Sequence, residues 1–188
     1  ILVPFPPQSF LSNYKGEVKD EMTYEKSFRI PSNFDKKRIL LHFGAVDQIC
    51  DVYVNGNLVG HHEGGYLPFK FDISEFVDRN LENKIQVKVK DTLSIEYPYG
   101  KQTKKRGGMW YTPVSGIWQT VWMEVVPEIY VSKIRIDPDM KGFDLFVEIT
   151  NCQIPEEDDD FAIKVKVQGK TKNYFKITEL YLFFPIKT

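Results

Sequence analysis

Apolar and polar side chains alternate along several stretches of this chain with a period of two residues. Ile85, Val87 and Val89 alternate with polar residues, and the same pattern recurs over residues 143–149 and 163–167. Because successive side chains of a β-strand point to opposite faces, this period predicts strands with one buried and one solvated face. No segment keeps a helical apolar stripe for more than about two turns. The sequence therefore predicts an all-β fold, a sandwich of strands.

Two local patterns refine this prediction. Residues 38–46 form a more continuous apolar run, which is typical of a strand covered on both faces. Asn55 and Gly56 separate two short strand-like segments, and both central residues of a type I′ turn need a positive φ. Asn and Gly tolerate that conformation best, so a β-hairpin is expected at this position.

A domain boundary is expected near Pro127. A closing strand is predicted over residues 118–126, and a new set of strands begins after it. An immunoglobulin-like sandwich has about 100 residues, so residues 128–188 are expected to be an incomplete second domain following a first domain over residues 1–127. The start at Ile1 lacks both Met and the basic segment of a signal peptide and is interpreted as an internal cut.

Composition excludes several classes of partner. The chain has 25 basic and 26 acidic residues, so electrostatics does not favour nucleic acid or an anionic membrane. No apolar run approaches the roughly 20 residues that span a bilayer. Two cysteines are too few for a disulfide framework, and Cys50 and Cys152 are expected to be buried free thiols.

No catalytic or metal-binding set stands out. The histidines are His42, His61 and His62. Neighbouring strand residues point to opposite faces, so His61 and His62 could share a metal only across a bulge, and no metal site is predicted. The carboxylates show no pairing of the kind that retaining glycoside hydrolysis needs, and nucleotide-binding and nucleophile-elbow motifs are absent. No catalytic residue and no cofactor are expected.

Residues 61–73 form the first candidate segment. Gly64 and Gly65 precede Tyr66, and two glycines permit a sharp reversal that brings a ring beside a carboxylate. Such an arrangement could serve a sugar, whose apolar face stacks on rings. A structural corner of the sandwich explains the same pattern and is the simpler interpretation.

Residues 97–119 form the second candidate segment, a long loop rich in aromatic and cationic residues. Long loops in compact domains are often functional. Aromatic rings beside lysines also hold single-stranded nucleic acid, but the slightly acidic chain opposes that interpretation, and a solvated loop rim accounts for the lysines. Trp118 and Trp122 are spaced by four residues, and core packing is predicted for both.

The segments that carry a family resemblance occur in a specific order over residues 1–127. They are Val3-Pro4-Phe5, Leu11-Ser12, residues 38–47, residues 52–56, Val59-Gly60, residues 62–66, Pro68-Phe69, residues 71–73 and residues 110–119. Together they resemble glycoside hydrolase family 2, which contains β-galactosidases, β-glucuronidases and β-mannosidases. Residues 128–188 fit the start of the second domain of that family by position and pattern.

The resemblance implies a jelly-roll sandwich, like that of galactose-binding modules, followed by a partial immunoglobulin-like sandwich. It also implies a parent enzyme that hydrolyses β-glycosides with retention, using two glutamates of a TIM barrel that is absent from this chain. The fragment alone is therefore expected to be inactive. Its expected partners are a carbohydrate and the barrel.

The resemblance also implies site residues, because the first domain of related enzymes lends loops to the active site. A polar residue after the first Pro-containing strand corresponds to Gln8 or Ser9. An aspartate that precedes the Gly-Ile-aromatic motif has no counterpart here, since no Asp occurs over residues 92–136, and Trp110 lies near that place.

The expected substrate contacts are therefore Trp110 and Tyr111 as a stacking platform, with Arg106 and Gln8 bonding hydroxyls. Two alternatives stay open from the sequence. One is an independent carbohydrate-binding module, and the other is a purely structural or protein-interaction sandwich.

Overall fold

The computed structural model describes residues 1–34, 38–105, 107–138, 140 and 143–150, together with the backbone of residues 162–171 and 174–183. The chain forms two compact units, Ile1–Glu128 and Ile129–Thr188. The paired strands of the described residues are antiparallel throughout, and the helical content of this part is limited to short 3-10 turns at Phe10–Ser12 and Ser32–Phe34. The all-β prediction is confirmed.

The described residues of the first unit form three sheets. Its strands are β1 (Glu21–Arg29), β2 (Arg38–Phe43), β3 (Val46–Asp47), β4 (Ile49–Val54), β5 (Asn57–Glu63), β6 (Phe69–Asp72), β7 (Glu82–Lys90), β8 (Gly116–Ile117) and β9 (Val121–Val126). A four-stranded sheet has the order β1-β7-β4-β5, and a three-stranded sheet has the order β6-β2-β9. The short strands β3 and β8 pair with each other.

The second unit contains two antiparallel pairs among its described residues. β10 (Tyr130–Pro138) pairs with β11 (Phe143–Thr150), and β12 (Ala162–Thr171) pairs with β13 (Tyr174–Phe183). The alternating segments 143–149 and 163–167 both lie within these strands. Their prediction as strands is therefore confirmed.

The two larger sheets of the first unit share one hydrophobic core. Along β4 the side chains of Cys50, Val52 and Val54 are buried, and the intervening ones are partly exposed. Each buried aliphatic side chain stabilises the fold by roughly 1.5–3 kcal/mol relative to exposure. The remaining core residues are Ile30, Ile39, Leu41, Phe43, Val46, Ile73, Val87, Val89 and Ile117. The predicted sandwich is confirmed, and Cys50 is a buried free thiol as expected; Cys152 lies outside the described residues.

The hairpin between β4 and β5 has the predicted turn. Asn55 has a φ of 51° and Gly56 a φ of 84°, the two positive values that a type I′ turn requires. The Asn55 side chain also donates to the Asn83 side-chain oxygen at 2.8 Å and accepts from the Lys84 amide at 2.9 Å. The hairpin tip is thereby tied to the start of β7.

On the outer face of the three-stranded sheet, the sequence prediction is confirmed at Leu40 and is wrong at Trp122. Leu40 is buried although its neighbours Ile39 and Leu41 point into the core, so this strand is covered on both faces as predicted. Trp122 is 44% exposed and stacks on His42 with ring centroids 4.8 Å apart. The prediction that Trp122 packs in the core is wrong, because its register opposite His42 places it on the outer face.

Asn83 is expected to be important for stability, because its buried side chain bonds a neighbouring turn. Its amide nitrogen donates to the Asp78 carbonyl oxygen at 2.7 Å, and its oxygen accepts from the Asp78 amide at 2.7 Å. Asn83→Ala should lower the free energy of unfolding by about 2–3 kcal/mol in urea denaturation, since it leaves buried groups unpaired. Asn80→Ala, at an exposed position, is the matched control; equal losses for the two variants would contradict this role.

Candidate functional site

The two candidate segments, residues 61–73 and 97–119, lie against each other at one end of the sandwich. The Trp118 indole nitrogen donates to the Gly65 carbonyl oxygen at 2.8 Å. The Tyr66 ring meets the Trp118 ring edge-on, with centroids 6.4 Å apart. Trp118 is therefore partly buried in a joint between loops and lies outside the core cluster, contrary to the prediction of core packing.

Trp110 and Tyr111 are carried by a hydrogen-bonded part of the second segment. The Trp110 amide donates to the Gly107 carbonyl oxygen at 3.3 Å, and the Tyr111 amide donates to the Lys101 carbonyl oxygen at 2.7 Å. Their side chains are nevertheless 46% and 66% exposed. The backbone bonds hold the loop, while much of the surface of both rings stays accessible to a ligand.

Gln8 connects the amino-terminal segment to the end of this loop. Its side-chain nitrogen donates to the Ser115 hydroxyl oxygen at 2.9 Å, and its side-chain oxygen accepts from the Ser115 amide at 3.2 Å. The two residues are 107 positions apart in the chain. A side-chain amide has two N–H groups and two lone pairs, so one of each remains for another partner.

The sequence-predicted site residues are thus only partly brought together. Trp110 and Tyr111 are adjacent on the loop, and Gln8 reaches the same segment through Ser115. Arg106 lies outside the described residues.

The histidines of the first segment point to opposite faces, as expected from neighbouring positions in a strand. His61 is exposed, and its two ring nitrogens contact Asp51 at 2.7 Å and Glu63 at 3.2 Å. These hydrogen bonds raise the pKa of His61, the bond to Asp51 having the largest effect. His62 stacks on Phe69 at 3.8 Å between ring centroids, and burial lowers its pKa. These contacts fit a structural corner.

Two buried carboxyl groups near the same end were not anticipated. Asp47 is 5% exposed and lies opposite Gly116 in the β3–β8 pair, with its carboxyl group close to Gly65. Burial, together with repulsion from the nearby Asp91, raises the pKa of Asp47 to about 7. One oxygen of Asp91 is buried without a hydrogen-bond partner among the described residues. The signal in the sequence is the acidic residue Asp47 directly after the apolar run 38–46.

A separate cavity of about 420 Å³ lies beside the amino-terminal segment. Its lining is mainly apolar and includes Val3, Phe43 and Val121. Tyr24 also lines it, and burial raises the pKa of the Tyr24 hydroxyl to about 12. The other polar residues of its lining are Glu25, Lys26 and Thr120. Gln8, Trp110 and Tyr111 do not line this cavity, so it is separate from the candidate site.

Two features are absent from the part of the chain that the structure describes. No group of three or more His, Cys, Asp or Glu side chains in this part is arranged to hold a metal ion. No helix in this part is long and apolar enough to cross a membrane.

Comparison with known proteins identifies the class of this domain. The family model described as "Glycosyl hydrolases family 2, sugar binding domain" matches residues 6–127. The first unit is therefore a sugar-binding β-sandwich domain. The chain belongs to glycosyl hydrolases family 2.

Individual relatives agree with this assignment. The chain is 32% identical over 112 residues to a β-galactosidase of Thermoanaerobacter pseudethanolicus, a match that covers 59% of this chain and 14% of that protein. It is 25% identical over 160 residues to a β-glucuronidase of Formosa agariphila, covering 84% of this chain and 16% of that protein. The chain thus spans a small part of the length of these relatives.

A solved structure supports the fold. The apo structure of a β-glucuronidase from Ruminococcus gnavus superimposes with a TM-score of 0.68 at 20% sequence identity. The match covers 100% of this chain and 34% of that one. At this identity the likeness supports the β-sandwich architecture alone.

The pKa of Asp47 leads to a prediction about stability and pH. The folded state holds this proton more tightly than the unfolded state, whose carboxyl has the ordinary pKa of 3.8. The contribution of Asp47 to stability should therefore fall as the pH rises from about 4 to about 7. Relative to Asp47→Asn, the free energy of unfolding of the wild type should fall by up to about 1.4 kcal/mol per pH unit. Urea denaturation between pH 5 and 8 measures the two slopes, and identical slopes would rule out this linkage.

Proposed function

We propose that residues 1–127 form one wall of the sugar pocket of a retaining β-glycosidase. The catalytic TIM barrel of this enzyme, with its two glutamates, belongs to polypeptide outside this chain. The proposal is supported by the family match over residues 6–127 and by relatives named β-galactosidase and β-glucuronidase. The substrate class is accordingly a β-glycoside, and this chain alone lacks activity.

The exposed rings at the loop end of the sandwich are the observation that carries the proposal. Trp110 and Tyr111 present accessible aromatic surface on a backbone that is hydrogen-bonded to Gly107 and Lys101. A pyranose ring has apolar C–H faces that pack on aromatic rings while its hydroxyls bond polar groups. A platform held by its backbone loses little conformational entropy when a sugar binds.

Polar contacts with the sugar would come from Gln8 and Arg106. The Gln8 amide keeps one N–H and one lone pair after its two bonds to Ser115. Both can serve a sugar hydroxyl, which donates one hydrogen bond and accepts others. The Arg106 guanidinium supplies further donors from the same loop.

Residues 128–188 are proposed to begin an immunoglobulin-like domain between the sugar-binding domain and the barrel. The two antiparallel strand pairs of this unit are consistent with such a sandwich. Seven strands make a complete domain of this type. The remaining strands would lie beyond this chain.

The platform can be tested in the full-length enzyme. Trp110→Ala and Tyr111→Ala should each lower kcat/KM for an aryl β-glycoside by about tenfold, the loss expected for removing about 1.4 kcal/mol of stacking from the transition-state complex. Steady-state kinetics with β-galactosides and β-glucuronides measures this effect and identifies the preferred sugar.

Trp122→Ala is the matched control, because Trp122 is about as exposed as Trp110 but lies on the outer face of the three-stranded sheet. Its kcat/KM should equal that of the wild type. An unchanged kcat/KM in both loop variants would refute the platform, and so would an equal loss in the control.

A further inference from the structure

The amino-terminal segment presents an apolar side chain almost entirely to solvent. Phe10 is 96% exposed, and its neighbour Leu11 is also exposed. Both belong to the 3-10 turn Phe10–Ser12. Single exposed apolar residues are common on protein surfaces. The exposure of Phe10 therefore indicates a binding role only if the backbone that carries it is held in place.

The turn that carries Phe10 is firmly bonded from within. Ser12 is buried, and its hydroxyl donates to the Ser9 carbonyl oxygen at 2.8 Å and accepts from the Tyr14 amide at 3.1 Å. The Leu2 amide donates to the Ser12 carbonyl oxygen at 2.7 Å, and the Leu11 amide donates to the Ser9 hydroxyl oxygen at 3.2 Å. Phe10 is therefore displayed by a preorganised backbone, the condition under which an apolar anchor binds with little entropic loss.

This turn lies at the same end of the sandwich as the aromatic loop. Gln8, two residues before Phe10, is bonded to Ser115, and Ser115 precedes Gly116, the strand partner of Asp47. That end corresponds to the Lys90 end of β7, since Ile49 pairs with Lys90. Leu81 lies just before Glu82, at the opposite end of β7. At about 3.4 Å per residue, Leu81 is roughly 30 Å from Lys90.

The sequence on both sides of Phe10 lacks charged side chains. The first 14 residues contain no charged side chain. The buried centres of protein interfaces are depleted of charged residues, and large apolar side chains serve there as anchors. Phe10 could stack on a sugar ring, but Leu11 beside it has neither a ring nor a polar group, so the pair matches an apolar protein surface better than a carbohydrate.

We propose that the Phe10–Ser12 turn is the docking anchor by which this domain attaches to the catalytic portion of the same polypeptide. This inference rests on the proposed function, which places the catalytic portion at the loop end of the sandwich. The relatives are long enough to supply that portion, since this chain covers only 14% and 16% of the two compared above. Phe10 fills an apolar socket there. The Gln8–Ser115 hydrogen bonds keep the distance between this anchor and the loop of residues 97–119 constant.

The test uses the full-length enzyme with variants at two exposed apolar positions. Phe10→Ala and Phe10→Asp are compared with Leu81→Ala and Leu81→Asp, because Leu81 is exposed at the far end of β7. Thermal unfolding, oligomeric mass by light scattering and the KM for an aryl β-glycoside are measured for each variant. We expect Phe10→Ala to lower the Tm of the transition in which the sugar-binding domain unfolds by about 2–4 °C and Phe10→Asp to lower it further, with shifts of less than about 1 °C at Leu81.

The other outcomes each overturn the anchor. Equal Tm shifts at the two positions mean that Phe10 stays in solvent. A raised KM with an unchanged Tm assigns Phe10 to the substrate, and a change of oligomeric mass assigns it to a second copy of the enzyme. The proposed role of residues 1–127 in the sugar pocket is tested separately. If that role is wrong and the anchor is right, Trp110→Ala leaves kcat/KM unchanged while the Phe10 variants still lower the Tm.

Discussion

Burial of the two inner sheet faces against each other is the constraint on which the rest of this domain depends. Val52 and Val87 from one sheet and Leu41 and Phe43 from the other contribute to one core. Because each strand alternates between faces, burying its inner residues also fixes its register against the neighbouring strands. The positions of the loops, and of every side chain they carry, follow from this packing.

The loop end of the sandwich combines parts of the chain that are distant in sequence. Gln8 holds Ser115, and Trp118 holds the turn at Gly65. Asp47 is buried at the same joint with its pKa raised to about 7. This end thus contains hydrogen bonds that hold the loops together and a carboxyl group whose ionisation is unfavourable. The rings of Trp110 and Tyr111 remain exposed beside them.

The fold was predictable to the extent that it is local. The alternation over residues 85–89 and the Asn55-Gly56 turn depend on neighbouring residues alone, and both were predicted correctly. The spacing of four residues between Trp118 and Trp122 predicts one shared buried face, and hence a core position for Trp122. The ring lies instead against His42 on the outer face, since the register between β2 and β9 decides which side of the sheet each residue occupies.

By itself, the sequence determined the all-β class, the alternating strands, the hairpin and the segments that define the family. These depend on backbone preferences and on periods of two residues, which are properties of contiguous chain. Only the tertiary structure decided that Gln8 meets Ser115, that Phe10 stands in solvent on a bonded turn, and that Asp47 takes up protons near neutral pH. The reason is physical: hydrogen bonds, exposure and proton affinity depend on distances between residues that only strand packing brings together.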